Sequence, residues 1–335
     1  MTLVKTPSIS LTYNGKNITR SVEQDLIELS YLDRTEVESD ELEFTVTDTD
    51  NKWSNLWRPD PGATLTLALG YSGDLTPVGV FEVDELNFMY NGNGRGLRVR
   101  ALSAIVSKDL RTKRDWTYRD ITLINLAKTI GSRMKLTVSG KIDNIYFTEV
   151  VQYQETDLAF MRRIAKTYGY IFSVKNKKLV FTKLTLLEKQ ATVLQLGPDK
   201  LADINISDVT GRTFREAKQK YYDPAKKRNI TIKKPGGTYG SDIDEMEGHA
   251  ENDQQAEAQA EARATQIRQG QVKGSIELTE GTPFIVAGNN ITLVRIGKFS
   301  GTYNIEASTH VISKRGGYVT YADVFKVGDI SETLY

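Results

Sequence analysis

Gly62-Ala63-Thr64-Leu65-Thr66-Leu67 and Gly288-Asn289-Asn290-Ile291-Thr292-Leu293 read as one strand written twice in a chain of 335 residues. Each opens on glycine and then alternates polar with apolar side chains, the period of a half-buried strand. The likeness continues in the same order downstream. Gly79-Val80-Phe81-Glu82-Val83-Asp84 is matched by Gly301-Thr302-Tyr303-Asn304-Ile305-Glu306, and Gly96-Leu97-Arg98-Val99-Arg100-Ala101 by Gly317-Tyr318-Val319-Thr320-Tyr321-Ala322. The glycine intervals are 17 and 17 in the first copy, 13 and 16 in the second. A repeat of this kind predicts two copies of one β-barrel. Three such chains can close a ring of six near-equivalent positions around a threefold axis.

Around these strands the first segment reads as β throughout. Leu42, Phe44 and Val46 alternate with Glu41, Glu43 and Thr45, and Asp48 to Asn51 supplies a turn before Trp53 and Trp57. The middle segment changes period. Ile121, Ile124, Ala127, Ile130 and Met134 fall on one helical face, with Asp120 as a cap. Leu158, Met161, Ile164, Ala165 and Tyr168 fall on another, between a Thr156 N-cap and Gly169 at C′. In the last segment, Pro235 to Asp253 is acidic and poor in apolar residues, which predicts a mobile loop. A helix at 253–269 follows. Its thin stripe of Ala256, Ala260, Ala264 and Ile267 suits a surface or a subunit contact.

The fold class is therefore mainly β with an α+β insert: two tube-like β-barrel domains, 1–105 and 185–335, flanking a smaller α+β module at 106–184. The second barrel carries the loop and helix insertion at about 235–270. Charge marks the same divisions. The total is +1, yet residues 1–105 carry −7, 106–183 carry +9 and 184–335 carry −1.

Composition excludes much chemistry. There is no cysteine, hence no disulfide, thiol nucleophile or thiolate metal site, and the two histidines are His249 and His310. His249-Ala250-Glu251 lacks the Pro-Cys-x-x-Cys partner of zinc deaminases. Gly92-Asn93-Gly94-Arg95-Gly96 precedes a strand and reads as a hairpin tip, not a phosphate loop. His310 reads as a buried, hydrogen-bonded strand residue. No stretch approaches about 18 apolar residues, so no membrane insertion is expected.

Ser39-Asp40-Glu41-Leu42-Glu43-Phe44-Thr45-Val46-Thr47-Asp48, then Trp53, Trp57, Pro59, Gly62 and Gly79 to Glu85, resemble the N-terminal barrel of the phage late control gene D family. These are the baseplate hub proteins of contractile tails and related contractile injection systems. Leu110 to Trp116, Gln154 to Ala165 and Gly301 to Tyr318 resemble later parts of the family in the same order. The resemblance implies a virion tail baseplate, or a phage-tail-like particle, assembled in the bacterial cytoplasm. It implies a homotrimer that joins the sixfold tail tube protein to a threefold spike, with other baseplate proteins and the tape measure protein as neighbours. No long spike β-helix lies before Tyr335, which predicts a separate spike protein.

Six residues are singled out for assembly. If Leu42, Phe44 and Val46 face a core, Glu41 and Glu43 face the opposite side and line the lumen of the ring as a negative wall. Arg111, Arg114, Arg162 and Arg163 form a candidate docking surface for acidic neighbours. No catalytic, cofactor-binding or metal residue is assigned, and neither a cofactor nor specific nucleic-acid binding is expected. The rival readings are a tail-associated cell-wall hydrolase and a glycan-binding or nucleic-acid-binding module using the basic middle segment.

Overall fold

A computed structural model describes residues 5–35, 39–92, 94–103, 112–175, 178–187, 189–209, 213–223, 226–237, 241–246 and 249–327. The first segment holds β1 (Pro7–Tyr13), β2 (Lys16–Asn17), α1 (Thr19–Asp25), β3 (Leu26–Arg34), β4 (Glu41–Thr47), β5 (Thr64–Tyr71), β6 (Asp74–Asn91) and β7 (Gly94–Leu102). The middle holds β8 (Lys113–Thr122), α2 (Leu123–Arg133), β9 (Thr137–Ser139), β10 (Tyr146–Thr156), α3 (Asp157–Thr167), β11 (Tyr170–Lys175), β12 (Lys178–Lys183) and α4 (Leu184–Leu187). The last segment starts with β13 (Thr192–Leu196), β14 (Leu201–Asp208), β15 (Glu216–Asp223), β16 (Arg228–Pro235) and β17 (Ile243–Glu245). It ends with α5 (Asp253–Gln269), β18 (Val272–Leu278), β19 (Asn290–Leu293), β20 (Gly301–Ser313) and β21 (Gly317–Lys326).

The repeat is real in three dimensions. In one unit the strands lie in the order β3-β4-β7-β6-β5-β1, in the other β14-β18-β21-β20-β19-β13. Numbered by chain position, the two orders are the same. The irregularities recur too. The β3–β4 pairing skips from Leu26 to Glu28, and β14–β18 skips from Leu201 to Asp203. The β6–β7 pairing skips from Val83 to Glu85, and β20–β21 skips from Ile305 to Ala307. The Gly62 amide donates to the Val83 carbonyl at 2.8 Å, and the Gly288 amide to the Ile305 carbonyl at 2.8 Å. Bulges bend strands at fixed places, so two shared bulges fix the correspondence residue by residue.

That correspondence corrects one strand of the sequence repeat. Gly94, not Gly96, stands where Gly317 does, because Ala101 pairs with Val83 as Val324 pairs with Ile305. A difference also emerges at the outermost strand: β1 runs antiparallel to β5, whereas β13 runs parallel to β19.

Pairing among the described residues closes no barrel within either unit. The units instead join edge to edge, because β20 pairs with β3 from Ala307↔Arg34 to Ser313↔Glu28. Their cores follow. Leu11, Leu29, Leu42, Phe44, Leu67 and Val99 pack in the first unit, and Ile312 and Tyr318 of the second unit join that cluster. Ile276, Ile291, Tyr303, Ile305 and Val324 fill the second. Each such side chain contributes about 1.5–3 kcal/mol by leaving water. At Gly274 a Cβ would lie 1.9 Å from the Asn205 carbonyl oxygen, so β14 crosses too closely for any side chain there.

In the middle segment β8 pairs with β10, and β12 with both β11 and β9, while α2 and α3 bury their apolar faces between them. Thr122, two residues after the expected Asp120, caps α2 by accepting from the Asn125 amide; Asp120 itself has φ of 48°. Thr156 caps α3 as expected, and Gly169 ends it at φ of 77°.

Within the acidic stretch the described Ile243–Glu245 pairs with β15, and Glu245 bonds Lys218 at 2.7 Å and Lys220 at 3.0 Å. The expectation of a surface helix fails at α5. Gln255, Ala256, Gln259, Ala260, Ala262, Ala264, Thr265 and Ile267 are all buried. One side packs on β15 and β16, while the other meets α3 and α4. A helix wedged from two sides needs small residues, and alanine gives it no strong apolar stripe to read.

Candidate functional site

The exposed face of the long sheet carries Glu41 and Glu43, as strand alternation requires. Their charges are answered from β7. Arg100 donates to Glu41 at 2.7 Å, and Arg98 lies 3.4 Å from Glu43. Arg100 also stands 3.7 Å from Asp84 and 3.9 Å from Glu85. The Glu41 hydrogen bond, aided by these carboxylates against a desolvation cost, holds the Arg100 guanidinium above its ordinary value. Around Glu41 and Glu43 this part of the face is thus a lattice of alternating signs. The cause is that β7 contributes arginines at the positions opposite β4.

The second unit departs from this pattern. Through the shared register, Asp323 stands where Arg100 does and Tyr321 where Arg98 does. Asp203, Glu277 and Asp323 line a shallow depression there with Tyr321 and Thr309. Carboxylates on this face therefore extend well beyond the segment that sequence charge singled out.

The three arginines of the expected docking surface that lie in described residues differ in exposure and in partners. Arg111 lies outside the described residues. Arg114 turns inward to Asp157, at 3.5 Å, and Arg133 reaches the other oxygen of the same carboxylate at 3.4 Å. Asp157 is 1 % exposed and accepts a further bond from Gln152 at 3.0 Å. Arg162, next to Arg163 in sequence, is half-buried. Arg163 is exposed, yet it holds Glu155 at 2.8 Å and the Val151 carbonyl at 3.0 Å. Trp116 carries the Arg133 guanidinium over its ring. Partners such as Asp157 at the start of α3 and Glu155 near the end of β10 cannot be inferred from sequence spacing, which is why these residues read as a basic patch.

His310 is buried at the seam between the units. Its Nε2 lies 3.0 Å from the Ile285 carbonyl and its Nδ1 2.9 Å from the Tyr318 hydroxyl. A carbonyl only accepts, so Nε2 carries the proton and Nδ1 accepts from Tyr318. Burial is the largest influence and pulls the imidazole down to about 4, with the Ile285 bond and Asp33 opposing it. The ring is a structural cross-brace between β20, β21 and the 279–289 connection. The Glu251 carboxylate, two residues from His249, accepts from the Thr148 amide at 2.7 Å and covers the edge of β10.

The features that sequence reading missed are two strand edges that no described strand pairs, β14 and the second half of β6. Their signal was present as Leu26-Ile27-Glu28-Leu29-Ser30-Tyr31-Leu32-Asp33 against Leu201-Ala202-Asp203-Ile204-Asn205-Ile206-Ser207-Asp208. The two octapeptides share their apolar alternation and their closing aspartate, but no glycine punctuates them.

The fold is a duplicated, mostly antiparallel sheet that carries an α+β module. A family model described as the Alg8 N-terminal domain matches residues 6–314, and the chain belongs to that family. The likeness to phage baseplate hub proteins is likewise shown. The probable baseplate hub protein of Escherichia phage 186 is 37% identical over 180 residues, 53% of this chain and 45% of the relative. That of Escherichia phage P2 is 31% identical over 181 residues, 53% of this chain and 46% of the relative. The matched region thus spans about half the length of these curated relatives. A tail protein from Neisseria meningitidis shares the fold at a TM-score of 0.68 and 14% identity, covering 96% of this chain and 97% of that one.

Proposed function

We propose that this chain is a structural, non-enzymatic baseplate hub, a trimeric adaptor between the sixfold tail tube and a threefold central spike. It works in a contractile phage tail or phage-tail-like particle assembled in the bacterial cytoplasm. The observation that carries the reading is the recurrence of one strand order twice within a single sheet. Two like units per chain and three chains give six near-equivalent positions facing a tube, and threefold symmetry facing a spike. The names of the phage relatives support the same reading.

In this reading residues 1–105 and 185–335 are the tube-like domains, and 106–184 is a module carried on their flank. The carboxylate-bearing sheet face, with Glu41 and Glu43, lines the lumen. The module, with Arg163 exposed and Arg114 and Arg162 behind it, receives neighbouring baseplate proteins. The tail tube protein, a spike protein and the tape measure protein are the axial partners.

The test is a mass measurement in solution paired with a peptidoglycan-clearing assay. Three chains and no clearing support the hub. Clearing that is lost on changing one carboxylate favours the hydrolase instead.

A further inference from the structure

Inside the chain, one unit is joined to the next by β20 lying against β3. In that seam His310 pairs with Tyr31, and Ile312 with Leu29. All four are buried, at 1, 6, 7 and 0 % exposure. The shared bulges say which residues hold the same places elsewhere. β6 corresponds to β20, so Phe88 and Tyr90 stand where His310 and Ile312 do. β14 corresponds to β3, so Ile206 and Ile204 stand where Tyr31 and Leu29 do.

Among the described residues, neither of these two edges is paired. β14 ends the sheet, joined only to β18. β6 pairs with β5 as far as Glu82, and beyond that residue the same edge faces no strand. Phe88 is 52 %, Tyr90 72 % and Ile204 36 % exposed. Apolar side chains on open strand edges are the surfaces that natural sheets normally cover or guard with charge.

We propose that β6, from Glu85 onward, pairs antiparallel with β14 of a second copy of this chain, in the register that β20 and β3 use internally. Asn87 then faces Ser207 of the second copy, Phe88 faces Ile206, Met89 faces Asn205 and Tyr90 faces Ile204. The occupant is a second copy because the complementary edge is found on this chain and its geometry is already realised once within it. β14 ends the strand order, and the free half of β6 lies past the end of β5 on the far side of the internal seam, so the two edges are different surfaces and the contact is head-to-tail, closing a ring where the rotation per copy allows it. Seams within chains and seams between chains alternate around that ring. Only the count of three rests on the trimeric reading above.

The chain has no cysteine, which makes the register directly testable. Facing residues on antiparallel strands have Cα atoms about 4.5–5.5 Å apart, within disulfide reach. The Asn87→Cys/Ser207→Cys variant, mildly oxidised, is expected to give linked species ending at three chains on a non-reducing gel. Each single variant and the out-of-register Asn87→Cys/Asp203→Cys variant are expected to stay as single chains. Met89→Cys/Asn205→Cys reads the same register if the first pair impairs folding. A three-chain mass without in-register linkage overturns the seam and leaves the trimer standing, as would an edge covered by another protein's strand. Single chains by both readouts overturn seam and trimer together. In-register linkage that stops at two chains, or continues into open polymers, supports the seam and overturns the count of three.

Discussion

Tyr31 and His310 stack across the seam between the two units, ring centroids 5.7 Å apart and planes 18° from parallel. The pair sits where β3 meets β20, and the same two units are also joined by Tyr71 against Tyr318, ring centroids 5.6 Å apart, and by the Ala287 amide donating to Asp33 at 3.0 Å. This joint makes the two units a single sheet, and its chemistry is sensitive to protonation.

Acid should loosen the joint. The folded chain holds His310 at about 4, below the ordinary 6.5, so the unfolded chain binds the extra proton first. The stability is complete above pH 6.5 and is lost as pH falls toward 4. The loss is about 3 kcal/mol, at about 1.4 kcal/mol per unit of pKa. Denaturant melts at pH 7 and pH 4.5 measure it. A His310→Gln variant, less stable at pH 7, should show a smaller decline over that window; an equal decline in both proteins would assign the effect to other groups.

Asp157 should be among the most costly polar residues to remove. Its carboxylate answers Arg114, Arg133 and Gln152 from a site 1 % exposed. Asp157→Ala leaves two guanidinium groups without their anion. Breaking a buried pair costs about 3–5 kcal/mol, and the partial exposure of both arginines places this one near the lower end. The urea midpoint should fall with little change in slope. A shift below half a unit of kcal/mol, on the order of a surface substitution, would show that the network is dispensable.

By contrast, Glu41→Gln should barely matter to the isolated fold. The Glu41–Arg100 pair is about one-third exposed, and such pairs are worth about 0.2–1 kcal/mol. The variant should melt close to the parent in salt. A large loss of stability would mean that the carboxylate serves the chain's own packing, which a lumen-facing role does not require.

Overpacking α5 should separate the insertion from the middle module. Ala260 and Ala264 are fully buried in the helix that meets both β15 and α3. Ala260→Leu inserts three carbons into a contact with no room, at a cost of about 1–3 kcal/mol. Proteolysis should then reach the 235–253 region faster than in the parent. Unchanged cleavage would indicate that the helix is not the clamp.

The strands and caps were legible because they are local. Leu42, Phe44 and Val46 show their period without help, and Thr156 with Gly169 brackets α3. The duplication was legible at Gly62 and Gly288, where glycine marks a fixed turn, but slipped by two residues at β7 because Gly96 resembled Gly317 better than Gly94 did. What stayed hidden was non-local. Nothing in the spacing of Arg114 and Asp157 announces their contact, and a helix of alanine and glutamine hides that both its sides are buried. The open edges could be found only by asking which strand in one unit lacks the neighbour its twin possesses.

The central claim is a closed ring of three chains, and sedimentation equilibrium of the purified protein tests it most directly. The account predicts one species of three times the 37.6 kDa chain mass, stable on dilution through the micromolar range. A single-chain mass across that range, or an even-numbered or open-ended assembly, would contradict it.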